Sequence, residues 1–396
     1  MIFIIWNVIF LGLVSFFADI SAEMVYPIIP LYLTSVFGAT PALVGVIEGI
    51  AESLASLLKV FSGYISDRYK RKKPIAFVGY ATGLIYKVAL LMAGSWIGIL
   101  SARVIDRVGK GIRTAPRDVM VSESAERGKA GMAFGVHKSL DMAGSALGIL
   151  MAYFLLRSPN GNYNYKQIFL FSMIPAALSL VMFIKIKEKK EERIVKEREP
   201  FWKNVKKLDG QLKLYLFVAT LFTLGNSSNA FLLLRAKSVG FDDTTVILLY
   251  FVYSITASLL AIPAGKKSDK VGRKSLLVAG YIVFAMVYTG FAFAFNKGFV
   301  IALFVLYGVY TAMIAGVERA FIAEISPKEL KGTMLGLHST VVGIALLPAS
   351  AIAGVLWTTS GVEVPFILGA SMSLLAAGIL AFLMKGGRIE SKEYNS

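Results

Sequence analysis

The sequence predicts an all-α integral membrane protein of 12 transmembrane helices in two six-helix bundles. Three observations carry that expectation. The 396 residues are 56% hydrophobic with a mean hydropathy of +0.66, whereas soluble domains hold about 45–50% apolar residues. Apolar runs of about 20 residues, enough to cross a hydrocarbon core of ~30 Å, recur along the chain. Charge gathers in alternate connections. A β-barrel would instead show short alternating segments.

The runs lie near 4–35, 43–66, 74–94, 97–121, 131–156, 166–186, 212–236, 244–265, 275–296, 299–324, 333–357 and 364–385. The opening stretch MIFIIWNVIFLGLVSFFA lacks a basic leader and reads as a retained first span. Pro27 and Pro30 should kink that span or open its backbone. Even-numbered connections carry DRYKRKK, KEKKEERIVKEREPFWKNVKK and KKSDKVGRK, while the odd-numbered ones hold little beyond Arg157, Lys166, Lys237 and Lys297. This asymmetry places both termini and the basic loops in the cytoplasm, in a cell inner (plasma) membrane protein. The net charge of +17 therefore belongs to loops and argues against a nucleic-acid partner.

A repeat divides the chain. GYISDRYKRK (63–72) and GKKSDKVGRK (265–274) align at an offset of 202, each after the second span of its half, and Arg117 maps onto Arg319. The two histidines, His137 and His338, sit 201 positions apart. The expected domains are 1–186, a charged cytoplasmic linker at 187–210, and 211–396 with a short cytoplasmic tail. Parallel six-helix repeats imply a solute site between the halves near the bilayer midplane.

Over its whole length the sequence resembles the major facilitator superfamily. The loop signature appears as Gly63, Asp67, Arg68, Arg71 and Lys72, and its second copy as Gly265, Asp269, Gly272 and Arg273, with Lys70 standing where the first copy should have its second glycine. The fourth-span signature appears as Arg107, Lys110 and Gly111; the fifth-span glycine ladder keeps Gly144 and Gly148, but Ser145 replaces the proline of the drug:proton antiporters. The resemblance implies the superfamily fold, spans 1 and 4 lining a central cavity, and a cytoplasmic charge latch at Asp67, Arg71, Asp269 and Arg273. A latch aspartate facing the N-terminus of a helix from the other half would be favoured by that helix's dipole.

Ionisable groups within spans cost about 2.5–3.5 kcal/mol each on insertion scales and are functional candidates by default. Span 1 holds Asp19 and Glu23 on one face; span 2 holds Glu48, Glu52 and Lys59; span 4 holds Arg103, Asp106, Arg107 and Lys110; span 5 holds His137, Lys138 and Asp141. One reading sets Asp19 and Glu23 across water from Arg103 and Arg107, as proton or cation sites facing an anion clamp. The other has the charges pairing off to hold the bundle together. Glu48, Glu52 and Lys59 read as structural. The second half has Val305 and Val309 where the offset aligns Arg103 and Arg107, and presents tyrosines and amides. There Asn226 and Asn229 could bond a substrate, each other, or a broken backbone. Arg117 and Arg319 read as gate residues. The histidines mark the repeat; His137 alone has an acid, Asp141, one turn on, which makes it the pH-sensitive gate candidate.

No Walker A pattern, HExxH, cysteine or clustered histidine occurs, so neither an ATP-driven pump, an enzyme, a metal centre nor a cofactor is expected. The expected function is secondary active transport of a small organic solute by alternating access, proton-coupled, outward and monomeric. Uncoupled movement of a metal chelate or organic anion is the alternative, and a membrane-embedded enzyme or a channel the different class.

Overall fold

A computed structural model describes residues 2–69, 72–124, 130–156, 164–188, 210–326 and 331–384; within these, the side chains at 2–5, 59–69, 122, 130–135, 262, 269, 323, 331–333 and 335 stand outside the description. The described residues form helices α1 (Ile2–Glu23), α2 (Ile28–Phe37), α3 (Pro41–Tyr69), α4 (Lys72–Met92), α5 (Trp96–Glu123), α6 (Ala130–Leu156), α7 (Tyr165–Ile184), α8 (Gly210–Gly225), α9 (Ala230–Ser238), α10 (Asp243–Val271), α11 (Arg273–Ala292), α12 (Lys297–Ile314), α13 (Val317–Ile325), α14 (Lys331–Ser360) and α15 (Val364–Phe382).

Twelve spans result, because α1/α2, α8/α9 and α12/α13 are each one span with a break. Among the described residues, 11 helical stretches are long and apolar enough to cross a membrane. The twelfth span, α5, carries Arg103, Asp106, Arg107, Lys110 and Arg113. Its charge is tolerated because that face is turned into the bundle.

The break at 24–27 in span 1 follows from Pro27, which has no N–H to continue the ladder. Adding the offset of 202 carries that interval onto 226–229, where span 7 also breaks, although no proline stands there. Side chains of Asn226 and Asn229 bond tyrosines of α12 in that interval. The duplication thus preserves the interruption while its local cause differs between copies. Arg235, buried in α9, donates to the carbonyls of Phe291, Ala292 and Ala294 at 2.8, 3.1 and 3.1 Å and so caps the C-terminal end of α11.

Close backbone approach holds the assembly together. In the first bundle α6 packs on α1, where a Cβ at Gly144 or Gly148 would lie 2.3 Å from the carbonyl oxygen of Phe16 or 2.5 Å from that of Ile20. Between the bundles, α3 packs along α14 and α6 along α10. Gly45 and Gly354 make the first contact possible, with would-be Cβ atoms 2.2 Å from the Ser350 oxygen and 2.6 Å from the Pro41 oxygen. Small residues at helix crossings are how membrane helices gain van der Waals contact when lipid is as apolar as leucine. Large apolar side chains such as Met92, Phe154, Ile184, Phe293 and Phe382 remain exposed around the outside.

Replacing Gly148 by leucine should separate α1 from α6 and lower the melting temperature of detergent-purified protein. Overpacking of this kind costs about 1–3 kcal/mol or more, and an unchanged melting curve would remove the close-approach argument.

Candidate functional site

The charged residues of the first bundle sort into groups. On α3, Glu48 and Glu52 are one turn apart; on α5, Arg103 and Arg107 are also one turn apart, so the two helices pair them in register. Arg103 holds Glu48 in a fork, Nε–Oε1 3.0 Å and Nη2–Oε2 2.5 Å, both side chains buried. Arg107 Nη2 meets Glu52 Oε1 at 2.7 Å. Asp106 Oδ2 lies between the arginines, 3.7 Å from Arg103 Nη1 and from Arg107 Nε. Of the two readings of these charges, the contacts fit the one in which they pair off within the bundle. An ion leaving water needs a matched partner at hydrogen-bonding range, and the span 2 carboxylates supply it.

Among the described residues Asp19 and Glu23 make no ion pair with Arg103 or Arg107. The carboxyls of Asp19 on α1 and Asp141 on α6 meet in a side-chain hydrogen bond, which requires one proton between them. Lys138 Nζ ion-pairs with Asp141 Oδ2 at 2.6 Å, so Asp141 is the anion and Asp19 the donor. One turn along, Glu23 keeps its Oε2 buried without a hydrogen-bond partner among the described residues. Lys110 and Arg107 supply the positive field at Glu23, while Glu23 in turn acts on Tyr250 and Tyr253 of the second bundle.

Tyr26, in the break of span 1, joins the two walls. Its ring lies 5.3 Å from the Arg103 guanidinium and 5.6 Å from that of Arg107, within cation–π range, and 5.8 Å from the Tyr250 ring. From there a row of tyrosines crosses the second bundle: Tyr250 to Tyr253 5.4 Å, Tyr253 to Tyr307 5.0 Å, Tyr307 to Tyr310 5.3 Å. Asn226 Nδ2 donates to the Tyr310 hydroxyl at 3.1 Å, and the Tyr307 hydroxyl donates to Asn229 Oδ1 at 2.8 Å. The amides therefore order the tyrosine row, and the site has a charged wall facing an aromatic one.

The two histidines meet different partners. His137 Nε2 bonds Ser15 Oγ at 3.0 Å rather than Asp141, whose oxygens are taken by Lys138 and Asp19. His338 Nε2 instead reaches Glu318 Oε1 at 3.3 Å and stacks on Tyr215 with centroids 6.1 Å apart. A residue one turn along a helix shares a face without being a partner; the neighbouring helices decided each pairing.

Of the expected gate, Arg117 bonds its neighbour Asp118 at 2.8 and 3.0 Å and Ser15 at 3.4 Å, and Arg273 bonds Glu324 at 2.9 Å and the Ala320 carbonyl at 3.2 Å. These contacts stay within one bundle, and Arg319 is exposed. The side chains at Gly63, Asp67, Arg68 and Asp269, and the whole of Arg71, lie outside the described residues. Gly265 continues α10, and Gly272 makes the α10–α11 turn at φ 91°, a conformation that favours glycine.

A closure that sequence reasoning missed joins the bundles at the opposite face, that of the odd-numbered loops. Lys237 Nζ meets Asp243 Oδ1 at 2.8 Å and Ser35 Oγ at 2.5 Å, the Tyr165 hydroxyl donates to Asp243, and the Ala42 amide donates to Thr358 at 3.2 Å. The signal was the lone Lys237 followed by Asp242 and Asp243, of which Asp242 caps α10 through Thr245.

The Major Facilitator Superfamily model matches residues 11–234 and again 214–395. The chain belongs to the Major Facilitator Superfamily. An uncharacterised MFS-type transporter of Methanocaldococcus jannaschii is 37% identical over 384 residues, 95% of this chain and 94% of that one. The multi-drug resistance efflux pump PmrA of Streptococcus pneumoniae is 32% identical over 126 residues, 32% of this chain and 31% of the pump. Among solved structures, a variant of the nucleoside transporter NupG superposes with a TM-score of 0.83 at 10% identity, covering 96% of this chain and 100% of that one. This superfamily transporter therefore shares the 12-helix, two-bundle fold expected from its sequence.

Replacing Glu48 by glutamine should strand Arg103 as an uncompensated buried charge and cost about 3–5 kcal/mol, seen as loss of the monodisperse peak in size-exclusion chromatography. The double replacement Glu48→Met with Arg103→Met should recover most of that loss. Failure of the double variant to recover would show that the fork does more than balance charge.

Proposed function

We propose that this superfamily member is a proton-coupled exporter of a small organic solute, working by alternating access as a monomer in the plasma membrane. The observation that carries the reading is the Asp19–Asp141 carboxyl pair. It joins span 1 to span 5 and holds one proton beside the solute path, so gaining or losing that proton changes how the two helices attract each other. Neither carboxyl is locked in an arginine fork. Asp19 and Asp141 are assigned as the coupling site.

The solute site is assigned to Glu23, Lys110, Tyr26 and the tyrosine row at 250, 253, 307 and 310. Glu23 offers an oxygen with no hydrogen-bond partner, Lys110 an exposed ammonium, and the tyrosines apolar faces with polar edges. Such a lining suits an amphipathic solute carrying a planar group and weighs against an anion held by Arg103 and Arg107, which are already engaged. The efflux pump among the relatives supports the outward direction. With the basic loops assigned to the cytoplasm, the Lys237–Asp243–Tyr165 closure lies on the outer side, opposite the signature loop latch of Asp67, Arg71, Asp269 and Arg273.

Replacing Asp19 by asparagine should abolish uphill, pH-driven accumulation of a fluorescent amphipathic probe in everted vesicles while leaving downhill exchange. Retained pH-driven accumulation would remove Asp19 from coupling. Replacing Asp243 by alanine should loosen the outer closure. The chain has no cysteine, so a single cysteine introduced at Tyr250 reports directly: an impermeant maleimide added outside should label it several-fold faster in the Asp243→Ala background, and equal rates would contradict the closure.

A further inference from the structure

Inside the first bundle, between α1, α4, α5 and α7, lies a small pocket lined by Tyr80, Lys87, Asp106 and Arg113 among serines, alanines and a glycine. Its lumen is of the order of one water. It is separate from the solute site: on α1 it is bordered by Ala18, Ser21 and Ala22, whereas Asp19 leaves the helix about 100° round from Ala18.

Two cations enter this pocket without a partner. Lys87 is 1% exposed and Arg113 8%. Among the described residues neither side chain makes a hydrogen bond or an ion pair; Lys87 Nζ lies 4.5 Å from the ring of its neighbour Tyr86, and the Arg113 guanidinium 4.6 Å over Tyr80. Aromatic faces stabilise a cation without neutralising it. The nearby carboxylate, Asp106, is shared between Arg103 and Arg107 at 3.7 Å each. Around this core stand four cations, Arg103, Arg107, Lys87 and Arg113, against three carboxylates, Glu48, Glu52 and Asp106. Asp19, the next acid along α1, is turned to Asp141 on α6 rather than to this pocket. One negative charge is missing where the space opens.

We infer that this pocket binds a small monovalent inorganic anion of the chloride class between Lys87 and Arg113, as a structural counter-ion of the first bundle. The anion completes the charge balance that fixes α4 against α5. It is distinct from solute and coupling proton, and the inference stands whether or not the proposed transport reading does.

The test is the thermal stability of detergent-purified protein in sodium chloride against sodium gluconate at equal ionic strength. Chloride should raise the melting temperature saturably, by about 2–4 °C at ten times the half-saturating concentration, and gluconate, too large for the pocket, should not. Lys87→Met should lose the chloride response while melting higher than wild type in gluconate, because its unpaired charge is gone. Equal stabilisation by both salts, or an undiminished chloride response in Lys87→Met, would overturn the site and leave water as its occupant. Should Lys87→Met fail to fold, titrating chloride into gluconate at constant ionic strength on the wild type still decides: a site gives a rise in melting temperature that saturates, and a rise that stays linear with chloride, as bulk salt effects do, would overturn it.

Discussion

Everything else in this transporter is arranged around the pairing of Arg103 with Glu48 and Arg107 with Glu52. A charged α5 can stand inside a bundle only if its ions are compensated at short range, because the surrounding medium does not do it. Once the arginines are committed to α3, the groups left for the proposed exchange are few: the Asp19–Asp141 pair and Glu23 Oε2. The same pairs also set the ceiling of the proposed solute site, since Tyr26 lies over both guanidinium groups.

The two bundles share a backbone plan and divide the chemistry. Breaks at 24–27 and 226–229 fall at the same place in the repeat, but the first presents Tyr26 to arginines and the second presents asparagines to tyrosines. Duplication kept the interruption of the helix, which exposes backbone and side chains at mid-depth, while the two copies acquired different partners. A charged wall that can gain or lose a proton then faces an aromatic wall that cannot. In the proposed coupling, a proton alters the first bundle's internal contacts without disturbing the second's.

Much of this was legible in the chain itself. Hydropathy gave the spans, and the offset of 202 gave the bundles, because both depend on properties repeated over many residues. The break at Pro27 was readable from the missing N–H alone. Pairing was not readable. Arg103 and Arg107 share a face with Asp106, and the sequence either set Asp19 and Glu23 across from them or let the charges pair off within the bundle; only helix rotation and crossing chose α3. Glu48 and Glu52 were read as structural, which their pairs with Arg103 and Arg107 fit, whereas the Ser15 partner of His137 was not readable from its own helix. The odd-loop closure was hidden because Ser35 and Tyr165, which meet Lys237 and Asp243 there, come from distant spans.

The central claim is that protonation of the first bundle shifts which face of the molecule is closed. Double electron–electron resonance measures it directly, with one pair of spin labels at Val36 and Ser360 on the odd-loop face and another at Trp6 and Val271 on the even-loop face. Between pH 8 and pH 5.5 the two distance distributions should shift in opposite directions, and Asp141→Asn should remove both shifts. Distributions that do not respond to pH, or that lengthen together, would contradict the account.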